Sequence, residues 1–195
     1  MNPKDNFLDN DIPLSFLDNR YITLGLQYFV LARMGGNLIY NPVCCNLYHL
    51  AFEMLIKAYL NLTYSKNQMW SRFRHDLPKL WKEFKIKTKQ DNLERFDQII
   101  KDLHVWEDFR YLYFPNKSGV VGIETIPGHS PNPEEDNVQV WKRKAGIYSI
   151  YLEDMDELFK YLIFAMGIDI ENLKNNPTFK KGLEEYTKGN KHSIF

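Results

Sequence analysis

Cysteine, net charge and long apolar runs are all scarce in this sequence. Its 195 residues include two cysteines, the neighbours Cys44 and Cys45. Adjacent side chains on a helix point about 100° apart, which suits a disulfide badly. Without a further cysteine, this chain cannot complete a thiolate metal site. The 25 basic and 25 acidic side chains cancel, so a polyanion could bind only at a local patch. No apolar run approaches the ~20 residues that cross a bilayer, so we expect no membrane span.

Several sequence signals of targeting and catalysis are also missing. The first residues, MNPKDNFLDND, lack the basic-then-apolar layout of a signal peptide, and we therefore expect a cytoplasmic protein. There is no phosphate-binding glycine loop, no nucleophile elbow and no His-Glu-x-x-His motif. With 44% hydrophobic and 26% charged residues, the composition is that of a globular protein, and the length suits one domain over residues 1–195.

Apolar residues recur every three or four positions over most of the chain, which predicts an all-α fold. The short loops between these segments favour an antiparallel, up-and-down bundle of about five main helices. The predicted helices are a first with the stripe Leu17, Tyr21, Leu24, Tyr28 and Leu31 that stops at Gly35-Gly36, a second from Asn41-Pro42 to about Leu62, a third from His75 to near Phe84, a fourth from Asp91 to before Pro115, a fifth from near Leu152, and a last short helix at Asn176-Pro177.

Residues 116–150 differ in character from the predicted helices. Val120–Ile126 is β-branched, and prolines and Gly128 then interrupt the chain. We predict an inserted excursion that is irregular or forms a small β-hairpin with residues 137–141. The polar residues 168–195 are predicted to be a carboxy-terminal extension.

Three short motifs follow one another on the predicted helices. They are Ala51-x-Glu53-x-x-x-Lys57-Ala58 on the second helix, His75-Asp76-Leu77-x-x-Leu80 at the start of the third, and Arg110-Tyr111 at the end of the fourth. Their order resembles the HEPN (higher eukaryotes and prokaryotes nucleotide-binding) domain family. The resemblance covers the first 115 residues and the fifth helix. It implies a HEPN-like helical bundle and a homodimer, with nucleotide, RNA or a cognate protein as partner, in a toxin–antitoxin or defence context.

One part of the family pattern is absent. Ribonucleases of the HEPN family carry an arginine followed four to six residues later by a histidine, and none of the five histidines here has an arginine at that distance. We therefore favour a module that binds nucleotide or RNA without catalysis. Two alternatives stay open: a divergent metal-independent RNase that uses His75 with Arg72 or Arg74, and a structural dimer or protein-partner module without a ligand.

Two groups of polar residues are candidates for a ligand site. Asn46, His49, Glu53 and Lys57 share one face of the second helix, where they either line a groove or pair with one another. His75 and Asp76 begin the third helix, where free N–H groups and the helix dipole favour an anion. Alternatively, Asp76 only caps this helix and His75 bonds a neighbouring element.

Residues 66–89 carry an excess of six positive charges in an otherwise neutral protein. Aromatic residues, among them Trp70 and Trp81, are interleaved with these charges and could stack on bases, although such a run can also be a solvated face. The predicted ligand-binding residues are Arg72, Arg74, His75, Asp76, Lys79, Arg110 and Tyr111, together with His49, Glu53 and Lys57.

A metal-dependent enzyme is the rival from another class. His49, Glu53, His104, Glu107 and Asp108 could offer ligands from two helices. However, His104-x-x-Glu107 reverses the Glu-x-x-His order of di-iron bundles, and partner glutamates are not evident. We therefore predict no metal site, no cofactor and no catalytic residue.

Overall fold

The computed structural model describes residues 19–37, 41–105, 122–130 and 147–189. These residues are mostly helical, and they form eight α-helices, one 3-10 helix and one two-stranded sheet. Within this part of the chain, no helix is both long and apolar enough to span a membrane. The elements are α1 (Arg20–Asn37), α2 (Asn41–Leu60), α3 (Lys66–Arg72), α4 (Leu77–Thr88), a 3-10 helix (Asp91–Phe96), α5 (Asp97–Val105), β1 (Gly122–Ile126), β2 (Ile147–Tyr151), α6 (Leu152–Ala165), α7 (Ile170–Asn175) and α8 (Pro177–Gly189).

Helices α1 and α2 form a closely packed antiparallel pair. Gly25 lies against Ala51 and Leu55, whereas Gly35, further along α1, lies against Cys44, near the start of α2. A Cβ atom on Gly25 would lie 2.7 Å from Leu55 Cγ and 3.1 Å from the Ala51 carbonyl oxygen. The absence of a side chain at Gly25 therefore permits this close approach.

Helix α2 is the central helix of the core, as its wide apolar surface predicts. It contacts α1, α4, α5 and α6, and Tyr48, Phe52, Leu55 and Ile56 on it are fully buried. Phe29 of α1 lies edge-on to Tyr48, with ring centroids 5.8 Å apart. Such aromatic contacts add to the hydrophobic stabilisation that burial of α2 provides.

The face that α1 turns to the core differs from the predicted stripe. Ile22, Leu26, Phe29 and Ala32 are buried, whereas Leu31 of the predicted stripe is 54% exposed. The helix has apolar residues on more than one side, so three-and-four spacing fits two stripes equally well and does not choose between them. Leu17 lies outside the described residues.

Helix α1 ends at Asn37, one residue beyond the Gly35-Gly36 pair at which it was predicted to stop. A Cβ atom on Gly36 would lie 2.8 Å from Leu152 Cδ2, so this glycine lets the end of α1 lie close to the start of α6.

Between α2 and the 3-10 helix the chain forms two helices, α3 and α4, whereas the sequence predicted one there. Helix α3 was missed, although Ser65 and Gln68 form a capping box at its start. Helix α4 begins as predicted, with the Asp76 carboxylate accepting a hydrogen bond from Lys79 N at 3.0 Å and Pro78 in the first turn. It continues beyond Phe84 to Thr88.

Lys89 ends α4 in the left-handed region, with φ of 53°. A residue with a Cβ atom is disfavoured there by roughly 1–2 kcal/mol, whereas glycine is not. We therefore expect Lys89→Gly to raise the free energy of unfolding by about 1 kcal/mol, measured by urea denaturation. Lys82→Gly is the matched control, since it makes the same change inside α4 and should lower stability by about 1 kcal/mol. A loss of stability in both variants would contradict the prediction.

The sheet is parallel, which differs from the predicted hairpin. In β1, Gly122 pairs with Ile147 and Ile126 pairs with Tyr151. The partner strand is thus β2, and residues 137–141 lie outside the described residues. Because parallel strands end at the same edge of a sheet, residues 127–130 after β1 come to lie beside the start of α6, which follows β2 directly.

A buried ion pair joins α1 to α6. Arg33 is buried, and its Nε donates to the carboxylate of Asp156 at 3.0 and 3.3 Å. Its terminal nitrogen donates to Glu153 at 3.4 Å, and Glu153 also accepts a hydrogen bond from Gly128 N. The group therefore ties together the first helix, the sixth helix and the segment after β1.

The carboxy-terminal part of the chain is helical. Helix α6 begins at Leu152, and α8 begins at Pro177, both as predicted. The short helix α7 between them was not predicted. Helix α8 contacts α1, with Phe179 and Leu183 buried, so part of the predicted extension, residues 168–195, belongs to the hydrophobic core.

Candidate functional site

Glu53 is the centre of a buried polar cluster on α2. It is fully buried, and its Oε1 accepts hydrogen bonds from Lys57 Nζ at 2.5 Å and from His75 Nδ1 at 2.9 Å. Its Oε2 lies 3.4 Å from His49 Nε2. Burial of an unpaired carboxylate is unfavourable in free energy. The three polar side chains around Glu53 offset this unfavourable term.

The pKa of Glu53 reflects a balance of two opposing effects. Burial raises the pKa of a carboxyl group, since it penalises the charged form. The contact with His49, the hydrogen bond from Lys57 and the charges of Lys57 and His75 outweigh this effect and lower the pKa of Glu53 to about 2. Glu53 is therefore ionised at neutral pH, and it attracts positively charged neighbours.

His49 lies inside the protein and connects α2 to α5. Its ring is fully buried, and its Nδ1 lies 3.0 Å from the carbonyl oxygen of Leu103. A carbonyl oxygen only accepts hydrogen bonds, so Nδ1 carries a proton there. The His104 ring stacks beside His49, with centroids 6.1 Å apart. His49, a predicted ligand-binding residue, is thus enclosed in the core.

His75 is the member of the cluster that reaches the surface. Its side chain is 51% exposed, and it lies between the end of α3 and the start of α4. Since ionised Glu53 only accepts, His75 Nδ1 donates, which leaves Nε2 as the remaining polar atom of the ring. The Trp70 ring stands edge-on to His75 at 6.0 Å between centroids, and Trp70 is 61% exposed.

The basic segment 66–89 is partly neutralised by acidic neighbours. Lys79 pairs with Asp76 at 2.7 Å, and Lys85 pairs with Asp97 at 2.7 Å. Burial of Asp97 raises its pKa, but the hydrogen bonds from Lys85 and Trp81 outweigh this effect and lower it. Several basic residues of the segment nevertheless remain exposed, and Lys79 is one of them although it pairs with Asp76. The exposed basic residues are Lys66, Arg72, Arg74, Lys79, Lys82 and Lys89.

Arg72 is positioned by aromatic neighbours. Its guanidinium lies 5.0 Å from the centroid of the Tyr64 ring and 5.7 Å from that of Phe73. The Tyr64 hydroxyl donates to Glu83 at 2.5 Å. Cation–π contacts of this kind orient a guanidinium while it keeps its charge, so Arg72 remains able to meet an anion.

The structure brings together four of the ten predicted ligand-binding residues in direct contact, namely His49, Glu53, Lys57 and His75. Arg74 and Asp76 are the chain neighbours of His75, and Arg74 has an unusual positive φ of 48°. Arg110 and Tyr111 lie outside the described residues. So do Glu107 and Asp108 of the metal alternative.

One potential site was missed from the sequence. His129, Asp154 and Glu157 place their ligand atoms within 4.8 Å of one another. Asp154-x-x-Glu157 has the spacing that puts two residues on one helix face, but nothing in the sequence shows that His129 lies beside them. Only the parallel pairing of β1 with β2 brings the histidine there.

Comparisons with family models, with curated proteins and with solved structures find no match. The HEPN resemblance therefore rests on the three sequence motifs. Two of these motifs lie within the described residues, and they meet at Glu53, where the glutamate and lysine of the first contact each other and the histidine of the second contacts the glutamate.

Proposed function

We propose that the chain is a HEPN-like antiparallel helical bundle that binds a nucleotide or RNA around His75 without catalysis, in a toxin–antitoxin or defence context. The observation that supports this proposal best is the contact between His75 and Glu53. A buried carboxylate fixes one nitrogen of a half-exposed imidazole. The other nitrogen and the exposed Trp70 ring then form a surface with one polar and one aromatic element.

Phosphate recognition follows from the charges at this surface. When His75 carries two protons, it donates Nδ1 to Glu53 and can donate Nε2 to a phosphate oxygen, a charge-assisted hydrogen bond. The exposed Arg72 and Arg74 add positive charge nearby, as a site for a polyanion in a neutral protein requires.

Base recognition would come from Trp70. Stacking of a base on an exposed aromatic ring contributes about 1–3 kcal/mol per base and tolerates any sequence. Because Trp70 contacts His75 edge-on, a phosphate on His75 and a base on Trp70 would belong to the same nucleotide or to neighbouring ones. We therefore expect little sequence preference and a strong dependence on salt.

Binding should be visible in the fluorescence of Trp70 and in the melting temperature. We expect ATP or a single-stranded RNA hexamer to quench tryptophan fluorescence and, at 100 times its dissociation constant, to raise the melting temperature by roughly 5–10 °C. His75→Ala and Trp70→Ala should each weaken binding at least tenfold, because each removes one of the two recognition elements.

Lys160→Ala is the matched control for this experiment, since Lys160 is an exposed lysine on α6. It should leave the affinity unchanged, whereas Arg74→Ala should weaken it by several-fold. If neither ligand raises the melting temperature, or if binding survives both His75→Ala and Trp70→Ala, this surface is not the site.

A metal-independent RNase is the second candidate function. Glu53 at Nδ1 of His75 is the arrangement that orients a histidine as a general base. RNA cleavage that resists EDTA and disappears in His75→Ala would favour this function over binding alone.

A structural dimer or partner module is the remaining candidate. Leu31 and Met34 of α1 and Val43 near the start of α2 are exposed apolar residues. These three side chains would be available to a second copy of this chain or to a cognate protein. A melting temperature that rises with protein concentration and ignores nucleotides would favour this candidate.

A further inference from the structure

A mixed histidine and carboxylate cluster lies where the segment after β1 meets α6, and it shares no residue with the Glu53 cluster. His129 follows β1, and Asp154 and Glu157 are three residues apart on α6. The ligand atoms of these three residues lie within 4.8 Å of one another. The imidazole distinguishes this group from an ordinary acidic patch, because nitrogen and oxygen donors converge on one point.

The backbone holds the cluster in place. Ser130 N donates to Asp154 Oδ2 at 3.1 Å, and Gly128 N donates to Glu153. These two hydrogen bonds fix the segment that carries His129 against the first turn of α6. His129 Nδ1 then lies 2.8 Å from Asp154 Oδ1. The three metal-ligand side chains thus come from two segments that hydrogen bonds already hold together. Binding an ion therefore needs little ordering of the chain.

The cluster offers negative charge to a cation. Asp154 is only 8% exposed, and Ser130 N, a neutral donor, and His129 are the contacts described for its carboxylate. Glu157, in contrast, pairs with Arg95 at 2.7 Å. The Arg95 guanidinium also lies over the Tyr161 ring, 4.2 Å from its centroid. Arg95 therefore already neutralises Glu157 and would compete with a bound cation for this carboxylate.

We propose that His129, Asp154 and Glu157 bind a divalent transition-metal ion of the Zn²⁺ or Ni²⁺ type. Imidazole together with carboxylates suits these ions, whereas Mg²⁺ and Ca²⁺ prefer oxygen donors alone. Ligand atoms about 2 Å from a tetrahedral ion lie about 3.3 Å apart, so small side-chain rotations bring the three donors into place. When the ion enters, the proton between His129 Nδ1 and Asp154 is released to solvent, Arg95 gives up Glu157, and water completes the coordination.

The test uses untagged full-length protein that has been stripped with EDTA and dialysed. We expect Zn²⁺ and Ni²⁺, at 100 times their dissociation constants, to raise the melting temperature by roughly 5–10 °C. Calorimetric titration should give one ion per chain, and Mg²⁺ should have no effect at equal concentration. His129→Ala should weaken binding at least tenfold, and it should fold normally because the His129 side chain is 62% exposed.

Arg95→Gln tests whether the cluster binds a metal ion or only holds the segment after β1 against α6 by hydrogen bonds. It removes the competitor of the ion at Glu157, so affinity for Zn²⁺ and Ni²⁺ should rise several-fold. His75→Ala, at the other site, should leave metal binding unchanged. The proposal is overturned by absence of binding, by binding that survives His129→Ala, by equal binding of Mg²⁺, or by an Arg95→Gln variant with unaltered affinity.

Discussion

Replacing Glu53 with glutamine is expected to lower the free energy of unfolding by about 3–5 kcal/mol, the cost of breaking a buried ion pair from one side. Glutamine has nearly the same shape, so the loss is that of the negative charge. Lys57 is largely buried beside Glu53 and would lose its charge partner. His49, which already donates from Nδ1 to Leu103, would lose the carboxylate beside Nε2.

Acid should reveal the same interaction. The pKa of Glu53 is lowered in the folded protein, from 4.5 to about 2. Its contribution is thus complete above pH 4.5 and is lost as the pH falls towards 2. In the wild type the full contribution is about 3 kcal/mol, of which about 2 kcal/mol disappears by pH 3. The glutamine variant cannot titrate at this position.

Urea denaturation at several pH values between 7 and 3 measures both effects. The difference in stability between wild type and Glu53→Gln should be largest at neutral pH and should narrow by about 2 kcal/mol at pH 3. Glu94→Gln, at an exposed position, is the control and should change stability by less than about 0.5 kcal/mol. A difference that stays constant with pH would show that the Glu53 charge does not stabilise the fold.

Replacing Arg33 with methionine should have an effect of similar size, about 3–5 kcal/mol, because it removes a buried cation that contacts two buried carboxylates. Arg33 contacts both Asp156 and Glu153, which are themselves buried. Methionine fills much of the same volume, so the expected loss is electrostatic rather than a packing defect. The melting temperature should fall by roughly 6–20 °C.

Because Arg33 contacts two carboxylates, the same experiment can rank the losses of stability in three variants. Asp156→Asn removes one of the two carboxylates that contact Arg33 and leaves the contact with Glu153 in place. It should therefore cost clearly less than Arg33→Met. Arg33→Lys keeps the positive charge but loses the planar guanidinium that donates to two carboxylates. Its loss of stability should therefore lie between those of Asp156→Asn and Arg33→Met. If Asp156→Asn is as damaging as Arg33→Met, charge balance is not what holds α1 to α6.

Much of the helical fold follows from the sequence, because α2, α4, α6 and α8 carry clear signals. Asp76 with Pro78 marks the start of α4, and Pro177 marks that of α8. The core face of α1 could not be chosen, since two apolar stripes fit the same helix. The parallel partner of β1 could not be chosen either, because pairing between distant strands depends on tertiary packing.

The residues of the candidate site were predictable from the sequence, but the burial of each residue was not. Spacing put His49, Glu53 and Lys57 on one side of α2, and the sequence alone did not show that His49 and Glu53 are fully buried while His75 is half exposed. Burial is a property of the whole fold, so only the folded structure distinguishes a supporting side chain from an accessible one. Arg110 and Tyr111 remain predictions.

The two cysteines provide a built-in reporter of these effects. Cys44 and Cys45 are buried and form no disulfide, and burial raises the pKa of both thiols. A thiol reagent attacks the thiolate, so labelling must await an opening of the α1–α2 pair. Since the chain has no other cysteine, the rate of modification reports how often this central pair separates, and no cysteine has to be introduced for the measurement.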